Sequence, residues 1–349
     1  MNRRQWLKIL VLAVSCMFFQ GCYLLKQGFY LFRYTFKAED NRTLLADSDT
    51  PESTRAFLQR VEDITAFAQE ALGLLDNKNY SKYVRVDQDF LAWVVSATEE
   101  FSFQPYLWSY PLVGKMPYQG FYEEKDAVKE AHRLKKKGYD VWVRKVEAFS
   151  TLGYLTDPLY SYMEDYSVYS LANLLIHEQA HATLFLKGQG EFNESFATFV
   201  GDLGAKLYIA RTYGTDSQEY TSIFINEHDR AVFLEQLGTL KSALEDLYTR
   251  RPPQMKEAKQ AEIEAFKQRF RSSYRNLFIG EGYTRVPDIP MNNAFISLYA
   301  LYHSDTDLFY RVYEQFHGDL KTCIQTLVEA AAGSKDGFEE VKNLLQPRG

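Results

Sequence analysis

Apolar residues recur at helical spacing along most of the chain. Between Arg55 and Leu75 they fall at Phe57, Leu58, Val61, Ile64, Phe67, Ala68, Ala71, Leu72 and Leu75, which predicts an amphipathic helix that Ser53 or Thr54 can cap. The same pattern predicts helices over Glu123–Lys137, Ser167–Lys187 and Phe192–Tyr213, closed by Gly138, Gly188 and Gly214. Glu219–Tyr248 and Glu257–Phe278 follow, the latter with its many charges on a solvated face. Met291–His303 and Leu308–Phe316 read as shorter helices, with a C-terminal helical pair after them. Phe90–Ala97 is a second apolar segment and fits a helix or a strand. Residues 106–122 are aromatic and interrupted by Pro and Gly, which suits a hairpin or two short strands, and Asp140–Phe149 suits another strand. Strand, helix, strand in that order implies a crossover in a small mixed sheet. The expected fold is therefore α+β and mostly helical.

The N-terminus follows a different pattern. Arg3, Arg4 and Lys8 precede an apolar run from Ile9 to Phe19, about 11 residues, which suits a signal-peptide core. A membrane-spanning helix needs about 20. The run leads to Gln20-Gly21-Cys22, and a small residue directly before such a cysteine resembles the bacterial lipoprotein signal. That resemblance implies cleavage before Cys22 and a lipid on its thiol, although Phe19 stands where leucine is usual and Ser15-Cys16 is a competing site. An uncut signal anchor is the alternative, and both place the body outside the cytoplasm. Tyr23 is not the aspartate that retains such lipoproteins in the inner membrane, so the outer membrane, facing the periplasm, is the expected location. The chain then divides into a signal peptide (1–21), a membrane-proximal tether (22–50) and one domain (51–349).

Composition narrows the classes. With 46% apolar and 25% charged residues, the 349-residue chain is neither disordered throughout nor a multi-span membrane protein. Its 40 Lys+Arg against 46 Asp+Glu, a net charge of −6, argue against a nucleic-acid partner. Cys16 and Cys22 lie in or beside the leader and Cys323 stands alone, so neither a disulfide framework nor a cysteine-based zinc site can be built. The 25 Tyr and 25 Phe suit a large core.

The candidate chemistry lies in His177-Glu178-Gln179-Ala180-His181, in the middle of the predicted Ser167–Lys187 helix. Residues four apart face one side of a helix, one turn apart, so both imidazoles can bind a single Zn²⁺. Glu178, beside the first ligand, can reach a water on the metal as general base. The bland alternative is a hydrogen-bonded pair of core histidines. Against it, Leu171, Leu174, Leu175, Leu184 and Phe185 make this a buried helix, where two His and a Glu are costly without a purpose. A third ligand is expected from the next helix, which follows so short a Gly188–Gly190 turn that the two must be antiparallel neighbours. Glu194 stands opposite the last turns of the first helix and completes a His₂Glu set with one open position. Glu191, in the turn, is its competitor.

His177-Glu-Gln-Ala-His181 followed by Asn193-Glu194-Ser-Phe-Ala-Thr198 resembles the gluzincin class of zinc peptidases. More narrowly, the chain resembles a family of zinc aminopeptidases found as lipoproteins in proteobacteria. Gly21-Cys22-Tyr23, Ser150-Thr-Leu-Gly-Tyr154 with Asp157-Pro158, and Asn292-Asn293-Ala294 support the narrower match. The resemblance implies a zincin-like fold with an active-site helix pair, zinc as cofactor and peptides as substrate. It implies His177, His181 and Glu194 as ligands and Glu178 as base. Thr198 and Asp202, four and eight residues after Glu194, share its face and can accept the second N–H of a ligand histidine, or are plain helix-surface groups. For oxyanion stabilisation, Tyr299, Tyr302 and His303 are the candidates. Ser150–Tyr154 is the candidate strand for pairing with a substrate backbone. Asp157 and Glu191 are candidates, by position in the sequence, to hold a substrate ammonium. His132, His228 and His317 lack ligand spacing.

Overall fold

The computed structural model describes residues 36–76, 79–110, 114–146, 157–300 and 306–346. The helices are α1 (Asn41–Ala46), α2 (Glu52–Leu72), α3 (Glu124–Lys135), α4 (Val168–Thr183), α5 (Gly190–Tyr213), α6 (Gln218–Arg250), α7 (Met255–Leu277), α8 (Asn293–Ala300), α9 (Asp307–Glu314), α10 (Leu320–Ala331) and α11 (Gly337–Asn343). The strands are β1 (Glu39–Asp40), β2 (Lys82–Val84), β3 (Ala92–Glu99), β4 (Trp108–Tyr110), β5 (Gly114–Met116), β6 (Tyr118–Phe121), β7 (Tyr139–Val146) and β8 (Leu159–Tyr160). The fold is α+β and mostly helical. No helix among the described residues is long and apolar enough to cross a membrane.

The strands form three small sheets. In the first, β2 pairs antiparallel with β1 and parallel with β8, so this sheet is mixed. In the second, β3 lies between β6 and β7 and is antiparallel to both. The flanking strands therefore run parallel, and α3 is the crossover that joins them. The third is the β4–β5 hairpin, within the region read as a hairpin. Phe90–Ala97, which fitted either state, folds as strand β3 from Ala92. Its apolar run, Phe90 to Val95, comes from burial on both faces. Val95 and Ala97 pack with Ala127, Ala131 and Leu134 of α3, while Ala92 and Val94 face the main core.

That main core gathers Phe57, Leu58, Val61 and Ile64 of α2 with Leu171, Leu175 and Ile176 of α4, Phe196, Phe199 and Val200 of α5, and Ile324 and Leu327 of α10. A second cluster joins α6, α7 and α8 through Leu240, Leu244, Phe266, Phe270 and Phe295. Cys323 is free and buried, and burial pushes its thiol up to about 12.

Helix ends depart from the expected positions for identifiable reasons. The first long helix stops at Leu72 rather than Leu75, because Gly73 takes a left-handed conformation (φ 74°) and Leu74 N–H returns to Ala68 O at 3.1 Å. The helix expected to run to Lys187 stops at Thr183, and Leu184 is extended. Within the stretch read as a tether, β1 pairs with β2 and Asn41 is buried, donating from Nδ2 to Tyr80 O at 2.8 Å. The folded part therefore reaches back to Glu39.

Asn292 and Asn293, part of the softer family resemblance, form a structural knot. Asn293 is fully buried; its Nδ2 reaches the carbonyls of Glu99, Glu100 and Ser102 at 2.9–3.2 Å, and its Oδ1 accepts from Tyr248 Oη at 2.8 Å. Its backbone N–H donates to Asp140 Oδ2, which also takes Lys259 Nζ. One asparagine thus ties α8 to β3, β7, α6 and α7.

Candidate metal centre

Ser167 caps α4, its hydroxyl accepting from Ser170 N–H at 3.0 Å. Two turns further on, His177 and His181 stand one above the other with their rings nearly perpendicular (85°, centroids 4.7 Å apart). Both are largely buried, with side chains 20% and 19% exposed, and their Nε2 atoms lie 3.1 Å apart. Glu194, one turn into α5, places Oε2 3.6 Å from His177 Nε2 and Oε1 3.5 Å from His181 Nε2.

These distances can be compared with what an ion requires. Donors held tetrahedrally at about 2.0–2.2 Å from one ion stand about 3.3–3.6 Å from each other. The two Nε2 atoms lie near that range, each imidazole has its own Glu194 oxygen within it, and one donor atom from each of the three residues lies within 4.8 Å of the others. The residues present therefore fit a metal ion, with two nitrogens and a carboxylate oxygen as donors. Glu194 keeps 65% of its side chain exposed, so the side of the trio away from the core is open.

The local fold explains how Glu194 comes to face the imidazoles. Asn193, next to it and 1% exposed, clasps the connecting turn: its Oδ1 accepts from Leu186 N–H at 2.8 Å and its Nδ2 donates to Leu186 O at 2.9 Å. The clasp satisfies both backbone groups of a residue that has left α4, which is why the helix can end early. Gln189, in the same turn, donates to Ser334 O and accepts from Gly337 N–H, anchoring the turn to the C-terminal helices.

The electrostatics are those of a crowded anionic site. Burial raises the pKa of Glu178, and the negative charges of Asp157 and Glu194 raise it further, against the opposing pull of His177. Glu194 is lowered, first by its interaction with His177 and then by His181, against its own partial burial. Burial lowers His181, as does the neighbouring His177. Neutral imidazole is the form that ligates a metal.

The structure thus brings His177, His181 and Glu194 together, with Glu178 in the field of both His177 and Glu194. Asp202 accepts from Asn173 Nδ2 at 2.6 Å, and neither it nor Thr198 hydrogen-bonds an imidazole among the described residues. His181 Nδ1 is buried without a hydrogen-bond partner there, as are Gln179 Oε1 and Ser195 Oγ beside it. Tyr299 packs against Phe233 and Phe295 in the second cluster. Glu191 is exposed in the first turn of α5, whereas Asp157 lies within the electrostatic reach of Glu178. Cys22, Ser150–Tyr154, Tyr302 and His303 lie outside the described residues.

A model of one protein family matches residues 22–341. The chain belongs to the family described as "putative aminopeptidase". Neither the curated proteins nor the solved structures yield a match. Family membership makes the chain peptidase-like, a hydrolase whose substrates are peptides, and the His177–His181–Glu194 trio is where such chemistry can be housed.

Sequence reasoning missed one neighbour of the site. Tyr80 is buried and lies within reach of Glu178 and Asp157, and burial, followed by their charges, pushes its phenol well up. Its backbone sits at φ 60°, rare for a bulky residue, held by Tyr80 N–H to Asp157 O at 2.7 Å and by Asn41 Nδ2 on its carbonyl. Among 25 tyrosines nothing in the sequence distinguishes it.

The Asn193 clasp carries a prediction. Asn193→Ala leaves the Leu186 N–H unpaired, at about 1–3 kcal/mol, removes one of the two donors to Leu186 O, which keeps Gln189 N–H at 3.2 Å, and frees the turn that aims Glu194. Urea unfolding is expected to show a clear loss of stability, and equilibrium dialysis weaker metal binding. Unchanged values in both would remove the clasp from the design of the site.

Proposed function

We propose that the chain is a lipid-anchored zinc metallopeptidase of the cell envelope, with aminopeptidase character. The observation that carries the reading is the His177–His181–Glu194 trio, whose donor atoms lie within 4.8 Å of one another, with the half-buried Glu178 next to His177 on the same helix. Two imidazoles and one carboxylate, with an open side, are the ligand set of catalytic rather than structural zinc. Zinc, when bound, supplies Lewis acidity and lowers the pKa of a coordinated water to about 7.

The remaining steps belong to the chain's own residues. Glu178 takes a proton from the attacking water and passes it to the leaving amine. Its raised pKa suits a group that must hold that proton between the two steps. A structural site would need the ligands but no such base. Asp157, whose charge reaches Glu178, is the acceptor for the α-ammonium of a substrate. An ammonium near a divalent cation is repelled unless a carboxylate offsets it. Glu191, exposed at the start of α5, is less well placed for that role.

The envelope location rests on the leader. Gly21-Cys22 after a short apolar core is the lipoprotein-like feature, and the family match begins at Cys22, where cleavage would leave the new N-terminus. Tyr23 favours the outer membrane.

Three measurements test these points. Glu178→Gln is expected to keep about one zinc per chain while losing about 10²–10⁴-fold or more in peptide hydrolysis, whereas changing both His177 and His181 to Ala empties the site. Near-normal turnover in Glu178→Gln, or zinc retained without the histidines, removes the proposed centre. A peptide with a free N-terminus should be cut faster than its acetylated form; equal rates at internal bonds would make this an endopeptidase. Finally, labelled palmitate should enter the wild-type chain and not Cys22→Ser, and persistent labelling would move the anchor to Cys16 or elsewhere.

A further inference from the structure

A cavity of about 450 Å³ opens between β7 and the helices α6 and α8. Trp142 and Arg144 of β7, Arg230 and Phe233 of α6, Tyr283 from the segment after α7, and Tyr299 of α8 form its walls. The volume is that of a small-ligand site. Its aromatic side is fixed in advance: Tyr283 stacks on Phe233 with centroids 4.8 Å apart, and Tyr299 meets the same ring edge-on at 5.1 Å.

The polar side is positively charged, with Arg144 partly buried and Arg230 exposed. Arg144 Nε is shut off from solvent and meets no hydrogen-bond acceptor among the described residues. A guanidinium cannot shed its charge, and buried donors without acceptors are rare in folded proteins. Arg230 has two acidic neighbours on its own helix, and both are engaged elsewhere. Glu227 pairs with Lys206 at 2.6 Å, and Asp229 accepts from the backbone N–H groups of Ile279 and Gly280 at 2.8 Å each. Lys145 also borders the cavity, but its ammonium lies 3.3 Å from Asp89 and over the Phe90 ring. No acidic side chain lines the cavity among the described residues. Two cationic forks with no carboxylate between them, against an aromatic wall, make a receptor for an anion of similar planarity.

The cavity is linked to the metal centre's helix pair through charge. Arg230 lies within the electrostatic reach of Asp202 on α5, and Asp202 accepts from Asn173, one turn before His177 on α4.

We infer that this cavity is an anion subsite that takes a carboxylate of a peptide ligand, gripped by Arg144 and Arg230 against Trp142 and Phe233. The choice of a peptide as the carrier of that carboxylate rests on the peptidase reading; the anion preference rests on the cavity alone. The carboxylate has two sources, the C-terminus of a short peptide or an acidic side chain.

Calorimetric binding to the intact chain carrying Glu178→Gln, which blocks turnover, decides the matter. The probes are trialanine, trialanine amide, and the amide with a central glutamate. Trialanine is expected to bind at least about tenfold more tightly than its amide, the scale of a charge-assisted hydrogen bond, and Arg144→Met or Arg230→Met to erase most of that difference. If the glutamate-containing amide binds as the free acid does, the subsite stands and its source is a side chain. Equal binding of acid and both amides overturns the subsite, and this comparison needs no substitution in the cavity, so it holds even where a variant folds poorly. A difference that survives both methionine variants, folded by circular dichroism, also overturns it. Wild-type hydrolysis of peptides with no acid–amide difference in binding would leave the peptidase reading intact, and carboxylate binding by a chain without turnover would do the reverse.

Discussion

Where α4 and α5 cross, a Cβ on residue 201 would stand 3.1 Å from both His177 Cβ and Asn173 O, and one on residue 204 would stand 2.8 Å from Leu72 and 2.9 Å from Ile176. Glycine at both positions lets α5 pack closely: a Cβ at 201 would push Asn173 and His177 of α4 by a few tenths of an ångström, and one at 204 would displace Ile176 of α4 and Leu72 of α2, against a cost of about 0.5–1 kcal/mol for each glycine in helix stability. Glu194 is carried on α5, so its distance to the imidazoles is set by that approach and by the Asn193 clasp at the turn. Phe196, Phe199 and Val200, packed beneath the same helix, fix its rotation. A larger residue at 201 would move the helix that bears Glu194 relative to the one that bears both histidines.

Charge explains the rest of the centre. Glu178, Glu194 and Asp157 act on one another, and the pKa of Glu178 is raised first by its burial and then by the charges of Asp157 and Glu194. A cation at the trio relieves that repulsion and satisfies three donor atoms at once. Proteins tolerate such unfavourable arrangements where function requires them. Tyr80 belongs to the same economy: its strained backbone and buried phenol are kept beside Glu178 by hydrogen bonds from residues far apart in sequence.

The other half of the molecule is organised around Asn293 and Asp140, which join the β3–β7 sheet to α6, α7 and α8. This knot positions Trp142 on β7 against Phe295 on α8. It therefore also shapes the cationic cavity, whose walls come from those same elements.

The sequence by itself determined the helical periodicity, the fold class, and the one-turn spacing of His177 and His181, because these depend on contacts three or four residues apart. It also indicated Glu194, because the connection marked by Gly188 and Gly190, which in the structure runs over residues 184–189, is short enough to set two helices side by side. Strand identity at Ala92–Glu99 was not legible, since burial on both faces erases the alternation that marks a strand. Only the tertiary structure decided where α4 ends, because the carbonyl and N–H of Leu186 are claimed by a side chain seven residues later. It alone placed Tyr80 near Glu178, joined Asp202 to Asn173 rather than to an imidazole, and left the cavity beside Arg144 and Arg230 without an acidic side chain among the described residues. Each of these depends on which distant residue arrives first at a given donor or acceptor, and that is a property of packing, which no local spacing encodes.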